Sequence, residues 1–166
     1  MSIRYQSRKI TGKENRVTTS AAPLLVDLYE EDETAWLEAM AELVRRGNLG
    51  ELDFNNLAEY LADMARRDRR EVKNRLAVLL AHWLKWERQP EKRSGSWRAT
   101  LAVQRNELAD LAGSGVLRNH AEAVLAEAYS NAVEQAALEA ELPEFAFPSD
   151  CPYSVDQLLS AIPGDA

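Results

Sequence analysis

The chain has 166 residues and a mass of 18.6 kDa, the size of one compact domain with a sizeable core. Its 20 basic and 27 acidic side chains give a formal net charge of −7, and its 46 % hydrophobic and 28 % charged residues are typical of globular proteins. The acidic balance argues against a generally cationic nucleic-acid-binding protein, and one cysteine with two histidines cannot build a disulfide framework or a Cys/His zinc cluster.

The first predicted element is a helix from Asp27 to Gly47. Its apolar residues fit one helical face, with three- and four-residue spacings from Trp36 onward, and are Leu28, Trp36, Leu37, Met40, Leu43 and Val44. Asp27 and Glu30 are spaced as a capping pair, and Gly47 is a stop signal. We therefore expect one amphipathic helix of about five turns, preceded by a polar and flexible segment, residues 1–23.

A longer helical pattern follows Asp53, which is a good N-cap residue. Its apolar positions are Leu57, Leu61, Met64, Val72, Leu76, Leu79, Trp83 and Trp86, and Pro90 ends it. The step of eight residues between Met64 and Val72 spans a polar segment, so the pattern fits one long helix or two consecutive ones. In a continuous helix Asp68 enters the apolar seam and needs a cationic partner, whereas a break leaves Asp68 in solvent.

Three further helices complete the prediction. A third helix follows Ser94 or Ser96 and ends at Gly113, and a fourth runs to Ala140 from Val116 or from the Asn119/Glu122 capping pair. The last helix, residues 155–160, is capped by Ser154 and Gln157. No segment alternates with the period of a strand. The sequence therefore predicts an all-α fold: a helical bundle with a long central helix and a short C-terminal helix, forming one domain over residues 24–162 with a tail at 163–166.

Charge is distributed in blocks along the chain. Residues 1–20 carry five basic and one acidic residue, and residues 21–65 carry two basic and eleven acidic ones. Residues 66–105 carry twelve basic and four acidic residues, and residues 106–166 carry one basic and eleven acidic ones. A basic middle between acidic flanks indicates either pairing between neighbouring helices or a patch for an anionic partner.

The apolar runs of the sequence do not indicate a membrane-spanning segment or a secretory signal. The longest apolar runs, Ala21–Val26 and Leu76–Ala81, have six residues, far short of the roughly 20 that cross a bilayer. The polar start also lacks the apolar region of a secretory signal. A single cysteine fits a reducing compartment, so we expect a cytoplasmic protein with no membrane partner and no cofactor.

Several motifs together are similar to those of one bacterial family. They are Tyr29-x-x-Asp32-x-x-x-Trp36, Leu52-Asp53-x-x-Asn56-Leu57-x-Glu59-x-x-x-Asp63-Met64, Arg75-Leu76-x-Val78-Leu79-Leu80-x-His82-x-Leu84-Lys85-Trp86-x-x-Gln89-Pro90-Glu91, Arg93-Ser94-x-Ser96-Trp97, Gln104-Arg105, Ala126-Glu127-Ala128-Tyr129 and Cys151-Pro152-Tyr153-Ser154-x-x-Gln157-Leu158-Leu159. Over residues 24–160 the chain resembles the family catalogued as domain of unknown function 29. It departs from the family's pattern at Tyr60 and Ala62, where further acidic residues are frequent. The resemblance implies an α-helical protein of bacterial origin and brings no activity with it.

His82 is the candidate centre of a catalytic site. It lies at the margin of the apolar stripe, with Arg75 seven residues before it and Lys85 one turn after it. An imidazole is a general base near neutral pH, and Lys85 is placed as its electrostatic partner. Glu59 and Asp63 join His82 as metal ligands only if the long helix folds back or a second chain brings them close. The alternative is that His82 makes a hydrogen bond inside a helix bundle and has no chemical role.

A second candidate site combines tryptophans with cations around the turn after the long helix. Trp83, Trp86 and Trp97 bracket a basic group, and the candidate anion or nucleic-acid ligands are Arg88, Lys92, Arg93, Trp97 and Arg98. Such side chains stack on bases and neutralise phosphates. The alternative is that the tryptophans fill the core while the cations pair with the acidic helices. Cys151, without a histidine beside it in sequence, is expected to fill space where the C-terminal segment docks.

Three functions therefore stay open. The sequence favours a non-enzymatic helical module that associates with itself or binds another protein, because it has a long amphipathic helix and lacks a phosphate loop or a nucleophile–base arrangement. The second hypothesis is nucleic-acid binding through residues 66–105. The third is an enzyme centred on His82.

Overall fold

The structure, a computed structural model, describes residues 25–161 and Pro163. These residues form six α-helices, which are α1 Leu25–Glu31, α2 Glu33–Arg46, α3 Phe54–Arg88, α4 Gly95–Ala112, α5 Gly115–Ala140 and α6 Val155–Ser160. Short 3-10 turns lie at Leu49–Glu51, Pro90–Lys92 and Glu144–Ala146, and no strand occurs in this part of the chain. The all-α prediction, with its long central helix and short C-terminal helix, is confirmed. The predicted flexible segment 1–23 and all of the predicted tail except Pro163 lie outside the described residues.

The chain divides into two compact units, with the boundary between Leu57 and Ala58. In the first unit, Trp36 and Met40 of α2 are buried, and the Tyr29 ring of α1 meets the Trp36 ring edge-on at 4.7 Å between centroids. The prediction of one continuous helix from Asp27 to Gly47 is wrong.

Asp32 is the reason for the interruption between α1 and α2. Its backbone is not helical, and its Oδ1 accepts a hydrogen bond from the Ala35 N–H at 3.0 Å. The side chain therefore caps a new helix, because aspartate satisfies an N–H group that would otherwise lack a partner at a helix start. Gly47, with φ 75°, ends α2 as expected.

The α3 helix is continuous over 35 residues. It passes through the polar segment 65–71 without interruption, so the alternative of two consecutive helices is wrong. Asp68 is partly exposed and therefore keeps contact with water instead of entering a dry seam. Asp53 begins the helix as expected, since its Oδ1 accepts from the Asn56 N–H at 3.3 Å.

In the second unit, α3, α4 and α5 form the core. The pairs Arg75–Glu107 and Lys85–Trp97 show that α4 runs antiparallel to α3, and the pairs Lys73–Glu127 and Lys85–Glu139 show that α5 runs parallel to it. The core lies between these helices and α6 and contains Val72, Leu76, Leu79, Leu80, Leu84, Leu101, Leu108, Ala128, Ala132, Ala136, Val155 and Leu158. The small side chains of α5 let it approach its neighbours closely.

Local capping fixes the ends of the later helices. The Ser94 hydroxyl accepts from the Trp97 N–H, and Ser154 with Gln157 forms a complete capping box, so both predictions are confirmed. The α5 helix begins at Gly115, which has φ 74°, and the alternative start at the Asn119/Glu122 pair is wrong. No helix in residues 25–161 is long and apolar enough to span a bilayer.

Candidate functional site

A buried lysine links three helices of the second unit. Only 5 % of the Lys85 side chain is exposed, and its Nζ forms an ion pair with Glu139 on α5. The same Nζ lies 5.1 Å from the centroid of the Trp97 ring on α4, within cation–π range. Gln135, one turn before Glu139, donates its Nε2 to Glu139 Oε1 at 2.8 Å. We name these four residues the Lys85 cluster.

The polar contacts continue to the end of α3. Gln89 is buried and donates its Nε2 to the backbone oxygen of Ala140 at 3.0 Å. This bond satisfies a carbonyl at the C-terminal end of α5, where the last backbone acceptors of a helix lack partners within it. Lys85 and Gln89 thus hold the ends of α3 and α5 together.

His82 lies beside this cluster and is bonded to its own helix. Its Nδ1 is 3.0 Å from the Val78 carbonyl oxygen, which places the proton of a neutral ring on Nδ1. Burial lowers the pKa of His82, and the Lys85 ammonium lowers it too, while the hydrogen bond to Val78 and the Glu139 carboxylate act in the opposite direction. The hydrogen bond from Lys85 also lowers the pKa of the Glu139 carboxyl. The resulting group is a neutral imidazole next to a fixed ion pair.

The catalytic candidates divide into two separate networks. His82 and Lys85 share the field of Glu139, whereas Arg75 pairs with Glu71 at 2.6 Å and with Glu107 at 3.1 Å. Neither group lines the cleft of about 690 Å³ that lies between α5 and the segment after it. The Lys85–Glu139 and Arg75–Glu107 pairs join two helices each, and the Arg75–Glu71 pair lies within α3.

The proposed metal ligands are far apart along one helix. Glu59 and Asp63 lie near the start of α3, and Asp63 pairs with Arg66 on the next turn. Since α3 is continuous, about 28 Å of helix separate Asp63 from His82. Within residues 25–161, no group of three or more His, Cys, Asp or Glu side chains is arranged to hold a metal ion.

The structure separates the tryptophans from the exposed cations of the candidate nucleic-acid site. Trp83 and Trp86 are buried in the core, and Trp97 packs against it under Lys85. Arg93 folds back on α3, where its Nε donates to the Trp86 carbonyl oxygen at 2.8 Å and its guanidinium lies 5.1 Å from the Trp86 ring centroid. The remaining candidates Arg88, Lys92 and Arg98 are exposed. Stacking on bases requires open aromatic faces, which Trp83 and Trp86 do not offer.

A hydrogen-bonded group around Glu87 was not predicted from the sequence. Glu87 accepts from Trp83 Nε1 at 3.1 Å and from the Tyr153 hydroxyl at 2.7 Å, and the Trp83 and Tyr153 rings lie 5.4 Å apart. Burial raises the pKa of Tyr153, and Glu87 raises it further, so the phenol stays a donor. Glu87 and Tyr153 are 66 positions apart, and only the Cys151-Pro152-Tyr153-Ser154 motif marks Tyr153 in the sequence.

The apolar stripe of α3 changes its environment along the helix. From Val72 onward its residues are buried in the core, whereas Leu61 is 57 % and Met64 is 37 % exposed. Three small residues, Ala58, Ala62 and Ala65, are exposed on the same turns. We name residues 58–71 the exposed half of α3.

The basic residues of the exposed half are less neutralised than those nearer the core. Lys73 and Lys85 pair with glutamates of the acidic α5. In contrast, the guanidinium groups of Arg67, Arg69 and Arg70 are exposed and make no ion pair with a described residue. Pairing between neighbouring helices therefore accounts for part of the basic block, and the exposed half of α3 carries unpaired positive charge.

Comparison with known proteins identifies the family. No curated protein and no solved structure matches the chain significantly. Residues 28–162 match the family model described as Domain of unknown function DUF29. This match covers both units and includes the Lys85 cluster and the exposed half of α3. The chain belongs to the DUF29 family.

Proposed function

We propose that the protein is a non-enzymatic helical module that associates with a second copy of itself through the exposed half of α3. The observation that carries this proposal is the exposure of Leu61 and Met64 on a stripe that is buried one helical turn beyond Asp68. A regular helix that presents an apolar stripe to water gains free energy when a second helix covers it.

The charges of the exposed half favour two antiparallel copies. At about 100° per residue, Arg69 and Arg67 flank the stripe on its two sides, whereas Glu59, Asp63 and Arg66 lie on the opposite face of the helix, where Asp63 pairs with Arg66. In an antiparallel pair centred near Ala65, each side of one helix faces the same side of the other, so the two copies of Arg69 lie about 12 Å apart along the helix axis. A parallel pair brings arginines beside arginines. The flanking charges therefore favour the antiparallel pair, in which a two-fold axis relates two identical surfaces.

The expected dimer is weak. The exposed half spans about 21 Å of helix, and a contact of that length buries less than the roughly 1,200 Å² of a standard stable interface. We therefore expect a monomer–dimer equilibrium that depends on protein concentration.

Sedimentation equilibrium from about 1 to 500 μM tests the proposal. We expect the wild-type chain to shift from monomer toward dimer over this range, because weak interfaces dissociate at micromolar concentrations. Leu61→Glu is expected to stay monomeric, since it places a carboxylate in the contact. Leu138→Glu, at an exposed position of α5, is the matched control and is expected to dimerise as the wild type does.

Cysteine crosslinking tests the antiparallel arrangement in a Cys151→Ser background. Ala65→Cys lies near the expected two-fold axis and is predicted to crosslink to its own copy. Ala58→Cys is predicted not to crosslink to itself, because antiparallel copies hold these residues about 20 Å apart. A parallel pair would crosslink at both positions.

Two outcomes would overturn the proposal. One is a wild-type chain that remains monomeric at all concentrations, and the other is a dimer that Leu61→Glu leaves intact. Salt-sensitive binding of labelled RNA or DNA by a monomer, lost in Arg67→Glu, would instead support the nucleic-acid hypothesis.

A further inference from the structure

A cleft of about 690 Å³ lies between α5 and the segment that follows it. It is formed by residues 126–133 of α5 on one side and residues 144–151 on the other. Tyr129 and Phe147 are buried at its base, and the Tyr129 hydroxyl donates to the Pro148 carbonyl oxygen at 2.8 Å, which ties the segment to the helix. The volume is within the range of small-molecule sites.

The lining combines aromatic rings with acidic groups. Phe145 is 89 % exposed, and Glu144 and Asp150 are the two carboxylates of the lining. The described residues that line the cleft include no lysine, arginine or histidine. Neither carboxylate forms an ion pair with a described residue, and the Ser149 hydroxyl, which donates to Asp150 at 3.1 Å, leaves its charge in place.

The other ionisable groups of the cleft are neutral. Burial raises the pKa of Tyr129, although the nearby Arg88 guanidinium acts against this shift. Burial also raises the pKa of the Cys151 thiol, and the thiol donates to the Tyr153 carbonyl oxygen. Cys151 is thus a poor nucleophile, and the cleft is suited to reversible binding without covalent chemistry. Its net charge is that of its two carboxylates.

An exposed aromatic ring beside unpaired carboxylates favours a ligand that carries a positive charge on an apolar body. Positive charge is attracted to the face of an aromatic ring, and the two carboxylates attract the same charge. An apolar body attached to the cation gains further free energy against Phe147 and Val133. Anionic ligands are disfavoured by Glu144 and Asp150.

We propose that this cleft binds an ammonium or guanidinium group carried on an apolar body. The source of the cation is either a free amine or a basic side chain of a peptide. The site lies on α5 and the segment after it, away from the exposed half of α3, so it stands independently of the proposed self-association.

Isothermal titration with benzyltrimethylammonium, on the full chain, tests the proposal. Its uncharged analogue with a carbon in place of nitrogen is the matched ligand control, and phenylacetate is the anionic control. We expect the cation to bind more tightly than the uncharged analogue, and phenylacetate not to bind. A short peptide with phenylalanine next to arginine is the second probe. Tighter binding of benzyltrimethylammonium would indicate a free amine as the ligand, and tighter binding of the peptide would indicate a basic side chain.

Variants locate the binding to the cleft. Phe145→Leu removes a cation–π contact worth about 0.5–1 kcal/mol, which corresponds to a two- to fivefold weaker Kd. Asp150→Asn is expected to weaken binding of the cation by a similar factor and to reduce the salt dependence of the Kd. Asp110→Asn removes the charge of an exposed carboxylate of α4 that lies outside the lining, and as the matched control it should leave the Kd unchanged.

Three results would overturn the proposal. The first is no binding of either cationic probe at millimolar concentration, and the second is equal binding of the cation and its uncharged analogue. The third is a loss of binding in Asp110→Asn as large as that in Asp150→Asn, because a general charge effect would then explain the affinity. Circular dichroism of each variant shows whether the helical fold is retained.

Discussion

Removing Lys85 and removing Glu139 from their ion pair are predicted to have very different effects on stability. Lys85 is almost fully enclosed, whereas 43 % of the Glu139 side chain is exposed. Glu139→Ala therefore leaves a buried ammonium without a carboxylate. Lys85→Met leaves a carboxylate that water can solvate, and it puts an unbranched apolar side chain against Trp97. We expect Glu139→Ala to destabilise the fold much more than Lys85→Met does.

The magnitude follows from how much of the pair is desolvated. Removing one partner of a fully buried ion pair costs about 3–5 kcal/mol, mostly because the other charge is left buried and unpaired. Since Glu139 retains access to water, we expect about 2–3 kcal/mol for Glu139→Ala. Replacing a buried charge with an apolar residue of similar volume is often nearly neutral, so we expect at most about 1 kcal/mol for Lys85→Met.

Urea unfolding at pH 7, monitored by circular dichroism, measures these free energies. The double variant is expected to match Lys85→Met, because the carboxylate has no buried ammonium left to neutralise. Glu134→Ala removes an exposed carboxylate from the same helix and is the control for general effects on α5. The reasoning is refuted if Lys85→Met costs as much as Glu139→Ala, or if Glu139→Ala costs no more than Glu134→Ala.

Three further predictions concern single residues. Because the pKa of His82 is lowered in the folded chain, the unfolded chain binds more protons below about pH 6.5 and stability falls as the pH falls. His82→Gln should therefore reduce the pH dependence of the urea midpoint between pH 7 and 5, and an unchanged dependence would contradict this. Ser154→Ala removes one half of the capping box of α6 and should lower the free energy of unfolding by about 1 kcal/mol, with unchanged stability in that variant refuting the role of the cap. Glu141 has φ 54°, so Glu141→Gly should raise the free energy of unfolding by about 0.5–1 kcal/mol, as measured by thermal and urea unfolding.

Most of the fold could be predicted from the sequence because its signals are local. Ser94, Ser154 and Gly47 mark helix ends through contacts with residues three or four positions away, and such contacts can be inferred from spacing alone. The interruption at Asp32 escaped prediction because Leu28 and Trp36, eight residues apart on either side of it, still fit one face of a continuous helix. The pattern of apolar residues does not distinguish a helical aspartate from a capping one.

The arrangement of the candidate sites could be predicted only in part. Lys85 and Trp97 were candidates because of their residue types, but their shared contact depends on how α3 and α4 pack. Glu139 lies 54 positions from Lys85 and has no distinguishing neighbour in the sequence. Partners of this kind follow from the relative rotation of helices, which no local spacing specifies.

The basic residues of α3 have different environments in the exposed half of the helix and in the half that packs in the core. Lys73 and Lys85 face α5, so their positive charge is balanced by Glu127 and Glu139 and contributes to helix pairing. Arg69, only four residues before Lys73, is exposed next to apolar residues that no described helix buries. Exposed arginines are common on the solvent-facing side of a helix, so the exposed apolar residues beside them are the distinguishing feature. The change from paired to exposed charge coincides with the change from buried to exposed apolar residues, and this coincidence is the reason why the proposed self-association is placed on the exposed half of α3.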